Sequence, residues 1–147
     1  METATLPNKL SPHFTLHELL ASQTATRKKI TEQFEPPQEI IDNLAYLAKN
    51  LLEKLREING NNCLIVSSAY RCPRLNKAVG GVATSQHIRG EAADIDFGSK
   101  SANKTFFNKI KNSNLMFDQL LNEFDYSWVH ISLKKEGNRK QVLNITG

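Results

Sequence analysis

No stretch of the 147 residues approaches the roughly 20 consecutive apolar residues of a membrane span, so membrane insertion by a helix is excluded. Cysteine is scarce: Cys63 and Cys72 are the only two. With a strand between them, their Cα atoms would lie beyond the roughly 7 Å that a disulfide tolerates, so both are expected free and a disulfide scaffold is excluded. Aromatic residues make up only 7% and do not alternate with basic ones, which removes the stacking platforms of single-strand nucleic-acid binders. Gly80-Gly81 runs into Val82-Ala83 rather than Gly-Lys-Ser/Thr, and no serine lies in G-x-S-x-G, so phosphate-loop and serine-hydrolase chemistry fall away. His17-Glu18 opens like H-E-x-x-H, but position 21 is Ala, so His17 is expected on a helix surface.

What the chain does have is the composition of one soluble domain, with 39% hydrophobic and 23% charged residues. A chain of this size buries roughly two thirds of its unfolded surface and needs no metal merely to fold. The net charge of +4 suits an anionic partner without choosing among nucleic acid, membrane surface and wall polymer. The opening residues lack the basic and apolar regions of a signal peptide, so synthesis in the cytoplasm is expected.

Residues 1–13 read as a surface arm and 14–147 as a single domain. Thr15 to Glu18 has the form of a capping box, starting a short helix that ends near Ser22. From Pro37 to Ile58 apolar residues recur at helical spacing, with Pro36-Pro37 at the start and Asn59-Gly60 at the stop. Leu64 to Ser68 reads as a buried strand, followed by a short helix through Leu75 and Ala78. Ala92 to Phe97 reads as a second strand, and Ser99 or Ser101 should cap a helix carrying Phe106, Phe107 and Ile110. Strands near 116–124 and 128–134 follow, and a Gly137-Asn138 turn leads into Gln141 to Ile145, giving an expected antiparallel meander. Helices first and strands mostly last predict an α+β fold, a small antiparallel sheet packed with N-terminal and crossover helices.

The chemistry concentrates in Ser85 to Asp94 and in Trp128 to Ser132. A catalytic zinc takes three protein ligands and keeps one position open for water, and His87, Asp94 and His130 could supply the three. Gly90 would let the chain turn so that a loop histidine and a strand aspartate meet at one ion. Taken singly, each has an ordinary reading as a loop, strand-end or core residue. Together, Ser-x-His-x-x-Gly-x-Ala-x-Asp and the distal Trp-x-His resemble the signature of the zinc D-alanyl-D-alanine carboxypeptidase and L-alanyl-D-glutamate endopeptidase superfamily. The resemblance extends through Ser67-Ser68-Ala69-Tyr70-Arg71, Phe117-Asp118-Gln119-Leu120 and Arg139-Lys140-Gln141-Val142-Leu143, and is nearest the compact single-domain branch of phages and prophages.

That resemblance implies one Zn²⁺ per chain held by His87, Asp94 and His130, and hydrolysis of peptidoglycan stem peptides. Arg71 would hold the scissile carbonyl and its oxyanion. Ser85 and Trp128 would serve near the metal or the substrate, and Asp96 is left as a second-layer or solvated residue. The general base departs from the better-known pattern, since Ser127 stands where a catalytic acid is expected. Glu123 and Asp125 are the nearest carboxylates, and Glu123 is favoured because a hairpin across 124–127 would return it beside His130. The expected protein is a monomer that reaches the wall after holin-type release or lysis, or as a virion component, with no nucleic acid or membrane partner. The rival readings are a non-catalytic zinc-containing wall-binding module and a basic structural or nucleic-acid-associated phage protein. Which stem bond is cut is left open.

Overall fold

The structure is a computed structural model in which residues 8–145 are described. The first seven residues of the expected arm lie outside them. From Lys9 onward the arm reading does not hold: β1 (Lys9–Ser11) pairs with β2 (Phe14–Thr15), and Leu10 is buried in the core. Ser11 and His13 both bond the carboxylate of Glu53, tying this hairpin to the long helix described next.

α1 (Leu16–Leu20) begins with both halves of the expected capping box, the Thr15 hydroxyl accepting from the Glu18 amide and Glu18 reaching back to the Thr15 amide. His17 is exposed on it, and Ser22 caps a further helix, α2 (Gln23–Arg27). After a 3-10 turn (Thr31–Phe34), α3 (Gln38–Leu47) passes through a π-helical turn (Ala48–Leu52) into α4 (Glu53–Ile58). The helical spacing read from the sequence is the buried stripe: Leu44, Leu47, Leu51, Leu52 and Leu55 are fully buried. Burying each such leucine is worth about 1.5–3 kcal/mol, and this row is the centre of the core. The π turn widens one helical turn by a residue, letting the adjacent Leu51 and Leu52 both face inward.

The main sheet contains β3 (Val66–Ser68), β4 (Ala92–Ile95), β5 (Gln119–Glu123), β6 (Trp128–Ser132) and β7 (Gln141–Ile145), in the order β3-β4-β6-β5-β7. α5 (Pro73–Ala78) follows β3. α6 (Lys100–Lys111), capped by Ser99, connects β4 to β5 and buries Phe106, Phe107 and Ile110. The α+β class expected from the sequence is the class observed.

Two strand expectations are corrected. β3 is an edge strand, only partly buried, and Ile65 beside it is half exposed; among the described residues no strand pairs along its outer side. The last strand does not continue an antiparallel meander: β7 runs parallel to β5, pairing Gln119 with Gln141 and Glu123 with Ile145. The reason is occupancy. β6 already bonds β4 on one side and β5 on the other, so the final strand cannot pair with β6 and takes the open edge of β5. The Gly137-Asn138 turn is present, with Gly137 at φ 75° and Asn138 bonding both the amide and the carbonyl of Lys134. It redirects the chain toward the far side of β5 instead of closing a hairpin.

Candidate metal centre

Asp94 and His130 are brought together by register, standing directly opposite each other where β4 pairs with β6. His87 comes from the 3-10 turn Gln86–Arg89, which Ser85 caps by accepting from the His87 amide. Gly90 ends that turn at φ 72°, and a Cβ there would sit 3.3 Å from the Ile40 carbonyl oxygen, so a left-handed conformation and a close approach to α3 both require glycine. Asn43 of α3 donates to the Arg89 carbonyl and fastens the turn from below.

One ligand-type atom from each of His87, Asp94 and His130 lies within 4.8 Å of the others. Asp94 Oδ1 is 3.2 Å from His87 Nε2 and 3.0 Å from His130 Nδ1. Tetrahedral zinc with nitrogen and oxygen ligands at about 2.0–2.1 Å would set neighbouring donors about 3.3 Å apart, so the spacing fits such an ion. The rest of His87 fits as well: its Nδ1 donates to the Ala69 carbonyl at 2.5 Å, which leaves Nε2 as the ring nitrogen that faces the cluster. Burial opposes ionisation of Asp94, but the charge of His87 and the hydrogen bonds from His130 and His87 outweigh it, holding the carboxyl below the usual range. A pair of imidazoles and an ionised carboxylate, with no fourth donor among them, is the donor set of an open zinc site.

Arg71 stands at the wall of the same cleft. Its backbone amide donates to the His87 carbonyl, and its Nη2 donates to the Ser85 hydroxyl at 3.3 Å, while Nε is buried without a partner. Burial lowers the guanidinium pKa, and the negative charges of Asp94 and Glu123 oppose that shift. The residue that seats Arg71 went unread in the sequence. Gln33 is fully buried; its Nε2 donates to the Leu20 and Tyr70 carbonyls, and its Oε1 accepts from the Cys72 amide, so it grips the chain on both sides of Arg71. Cys72 is itself buried and free, its sulfur capping α5, whereas Cys63 is exposed and free.

Glu123 ends β5 directly opposite Trp128 on β6, one pair further along than Asn122 opposite Val129 and two further than Leu121 opposite His130. The Trp128 indole N–H donates to the Glu123 carboxylate. Phe124, Asp125 and Tyr126, which follow, are all left-handed, at φ 51°, 57° and 60°, and Ser127 closes the turn by donating its amide to the Glu123 carbonyl. Asp125 is 81% exposed and meets only Lys100, at 3.5 Å. It does not line the cleft, while Glu123 does. The turn is held from behind by Asn103 of α6, also unread in the sequence: buried, it donates to the Tyr126 and Ser127 carbonyls and to Asp96, and accepts from the Phe97 amide. Asp96 thus serves the β4–α6 connection and not the metal cluster.

The cleft that joins these groups has a volume of about 700 Å³ and is lined by the three candidate ligands together with Arg71, Glu123 and Trp128. No helix among the described residues is long and apolar enough to cross a membrane. No curated protein matches the chain. The family model for Peptidase M15 matches residues 12–132, a span that contains the cleft's ligand cluster, Arg71 and Glu123. The chain belongs to the Peptidase M15 family, a family of zinc-dependent metallopeptidases.

Proposed function

We propose that the chain hydrolyses the peptide stems of bacterial peptidoglycan, with His87, Asp94 and His130 holding one zinc ion. The observation that carries this reading is the convergence of two imidazoles and a carboxylate, at ligand spacing, on a cleft that also holds the Glu123 carboxylate and the Arg71 guanidinium. Bound zinc supplies Lewis acidity and lowers the pKa of water toward 7. Glu123 takes the proton of the attacking water and delivers it to the departing amine. Trp128 keeps that carboxylate turned toward the cleft, and Arg71, seated by Gln33 and steadied by Ser85, donates to the oxyanion as the carbonyl becomes tetrahedral. All these groups come from one chain, so the site is complete within a monomer. The wall is reached after holin-type release or lysis, the phage and prophage setting that the likeness in sequence implies.

Digestion of purified sacculi with the zinc-loaded protein, with mass spectrometry of the new termini, tests the reading. New amino termini within the stem, or release of D-alanine, are expected. Binding to sacculi with no new terminus at any zinc concentration would replace it with a wall-binding module that holds metal without cutting.

A further inference from the structure

Part of the cleft wall is a loop that no strand ladder holds. It leaves α5 after Ala78, passes Gly80, Gly81 and Val82, which line the cleft, and delivers the chain to Ser85 and the His87 turn. Asn76, in α5, is 2% exposed and grips this loop twice. Its Nδ2 donates to the Val82 carbonyl at 2.8 Å, and its backbone carbonyl accepts from the Gly81 amide at 2.8 Å. The Val82 carbonyl also accepts from the Ser85 amide at 3.0 Å. The Ser85 hydroxyl in turn accepts from Arg71 Nη2 and from the His87 amide. A short path of hydrogen bonds therefore leads from Asn76 to the arginine and to one of the candidate metal ligands.

The other end of the path is anchored as well. The Asn76 amide donates to the Cys72 carbonyl at 2.9 Å, and the Cys72 amide is held by Gln33. The chain from Arg71 through α5 to Ser85 is thus closed by the Arg71–Ser85 bond and braced inside by Asn76. The brace needs an exact space. A Cβ on Gly81 would lie 2.1 Å from Asn76 Oδ1 and 2.8 Å from its Cγ, although the Gly81 backbone is not left-handed. Asn76 therefore excludes a side chain there, and backbone conformation does not. Asn76 Oδ1 is itself buried without a partner among the described residues. Stability alone would not select it: an apolar side chain of similar volume leaves no acceptor unpaired, and the Val82 carbonyl would keep its Ser85 bond. What the amide adds is direction, since a hydrogen bond holds its partners at a set distance and angle.

We infer that Asn76 is a positioning residue of the hydrolytic centre, acting through Val82 and Ser85 on Arg71 and His87, and that Gly81 supplies the space it needs. Asn76 does not itself line the cleft, so its effect passes through these neighbours. The kinetic part of the inference rests on the stem-peptide reading given above, and the part that concerns metal affinity rests on the ligand cluster.

The test compares Asn76→Ala, Gly81→Ala and the double variant with the wild type. All are measured well below their melting temperatures, with folding checked by circular dichroism. Zinc affinity is read by competition with a chromophoric chelator, and kcat and KM on a stem peptide by chromatography. Loss of a group that orients metal ligands typically costs about 10- to 100-fold in metal affinity or activity. Each single variant should fall by that factor in zinc affinity and in kcat, with KM little changed. The double variant should be no worse than Asn76→Ala, because the three atoms nearest the new Cβ all belong to the Asn76 side chain. Residues that served stability alone would lower the melting temperature and leave zinc affinity and kcat of the folded protein at wild-type values, which would overturn the inference. Penalties that simply add in the double variant would overturn it too. Gly81→Ala keeps Asn76 and carries the test by itself where Asn76→Ala does not fold. A wild type that cuts no stem peptide loses the stem-peptidase reading, while the zinc affinities still decide for Asn76.

Discussion

Trp128 donates its indole N–H to Glu123 across the last pair of the β5–β6 ladder, so the carboxylate at the lip of the cleft is held by a neighbouring strand. Two residues later Asp125 is outside any ladder, turned to solvent beside Lys100. A general base must keep hydrogen-bond reach to the water it deprotonates, and groups held on strands keep their place better than groups on loops. Glu123→Gln should therefore retain zinc and lose about 10²- to 10⁴-fold in turnover, the range for loss of a general base. Asp125→Asn should stay close to wild type. Single-turnover rates on a muropeptide decide the matter, and the opposite ranking would transfer the role to Asp125.

His87 Nε2 and His130 Nδ1 meet Asp94 from two sides, at 3.2 and 3.0 Å. Elemental analysis of purified protein should give one zinc per chain, and His87→Ala or His130→Ala should each lose most of it. The apo protein should keep its helical circular dichroism, because the leucine row along α3 and α4 is fully buried and none of the three ligands comes from that helix. Full zinc occupancy in both variants would dismiss these ligands, and collapse of the helical signal on chelation would make the ion structural.

Arg71→Lys preserves charge but not the fork, and should cost about 10²- to 10³-fold in turnover while zinc stays bound. Gln33→Ala reaches the same arginine from behind. Removing it leaves the Tyr70 carbonyl and the Cys72 amide buried without their partner, which should destabilise the fold by about 1–3 kcal/mol. It should also lower turnover in the protein that remains folded. Denaturant titration and activity per folded molecule separate the two effects. Wild-type turnover in Gln33→Ala would show that the segment holds Arg71 unaided.

Arg139 holds Asp118 well below the usual carboxylate range, chiefly through its side-chain bonds, against the opposing effect of burial. A carboxyl depressed in the folded state contributes stability that is complete above its unfolded pKa, about 4, and is lost as pH falls toward the folded value. Wild type should therefore be more stable than Asp118→Asn at neutral pH, and the gap in melting temperature should shrink as pH falls below about 4. Melting curves of both proteins across that range test the sign. A gap that stays constant down to the lowest pH would mean that the bonds to Arg139 do not depend on the charge.

Local signals in the sequence were reliable where one element's own residues set the outcome. The Thr15–Glu18 capping box, the Ser99 cap, the leucine stripe of α3 and α4, and the left-handed turn at Gly90 all depend on neighbours a few positions away. The ligand cluster was legible for a different reason: the spacing of His87, Gly90 and Asp94 and the isolated His130 carry the family's likeness. Gln33 and Asn103 were not legible. Each is a polar residue in a polar stretch, and only tertiary packing makes it a buried clamp with every bond satisfied. The direction of β7 was equally hidden, because a turn signal at Gly137-Asn138 says that the chain bends and not which strand edge is still free.

The strand order β3-β4-β6-β5-β7 has a further consequence, in time. Of the neighbours in the sheet, only β5 and β6 are joined by a tight turn. The pairing that sets Asp94 against His130 closes a loop through all of α6, β5 and the turn after it. Non-local pairings of this kind are the slow part of folding, because the entropy of closing the loop is lost before the contacts reward it. The pairing that brings the donors together should therefore form later than the helices, an order that pulsed hydrogen exchange during refolding would show.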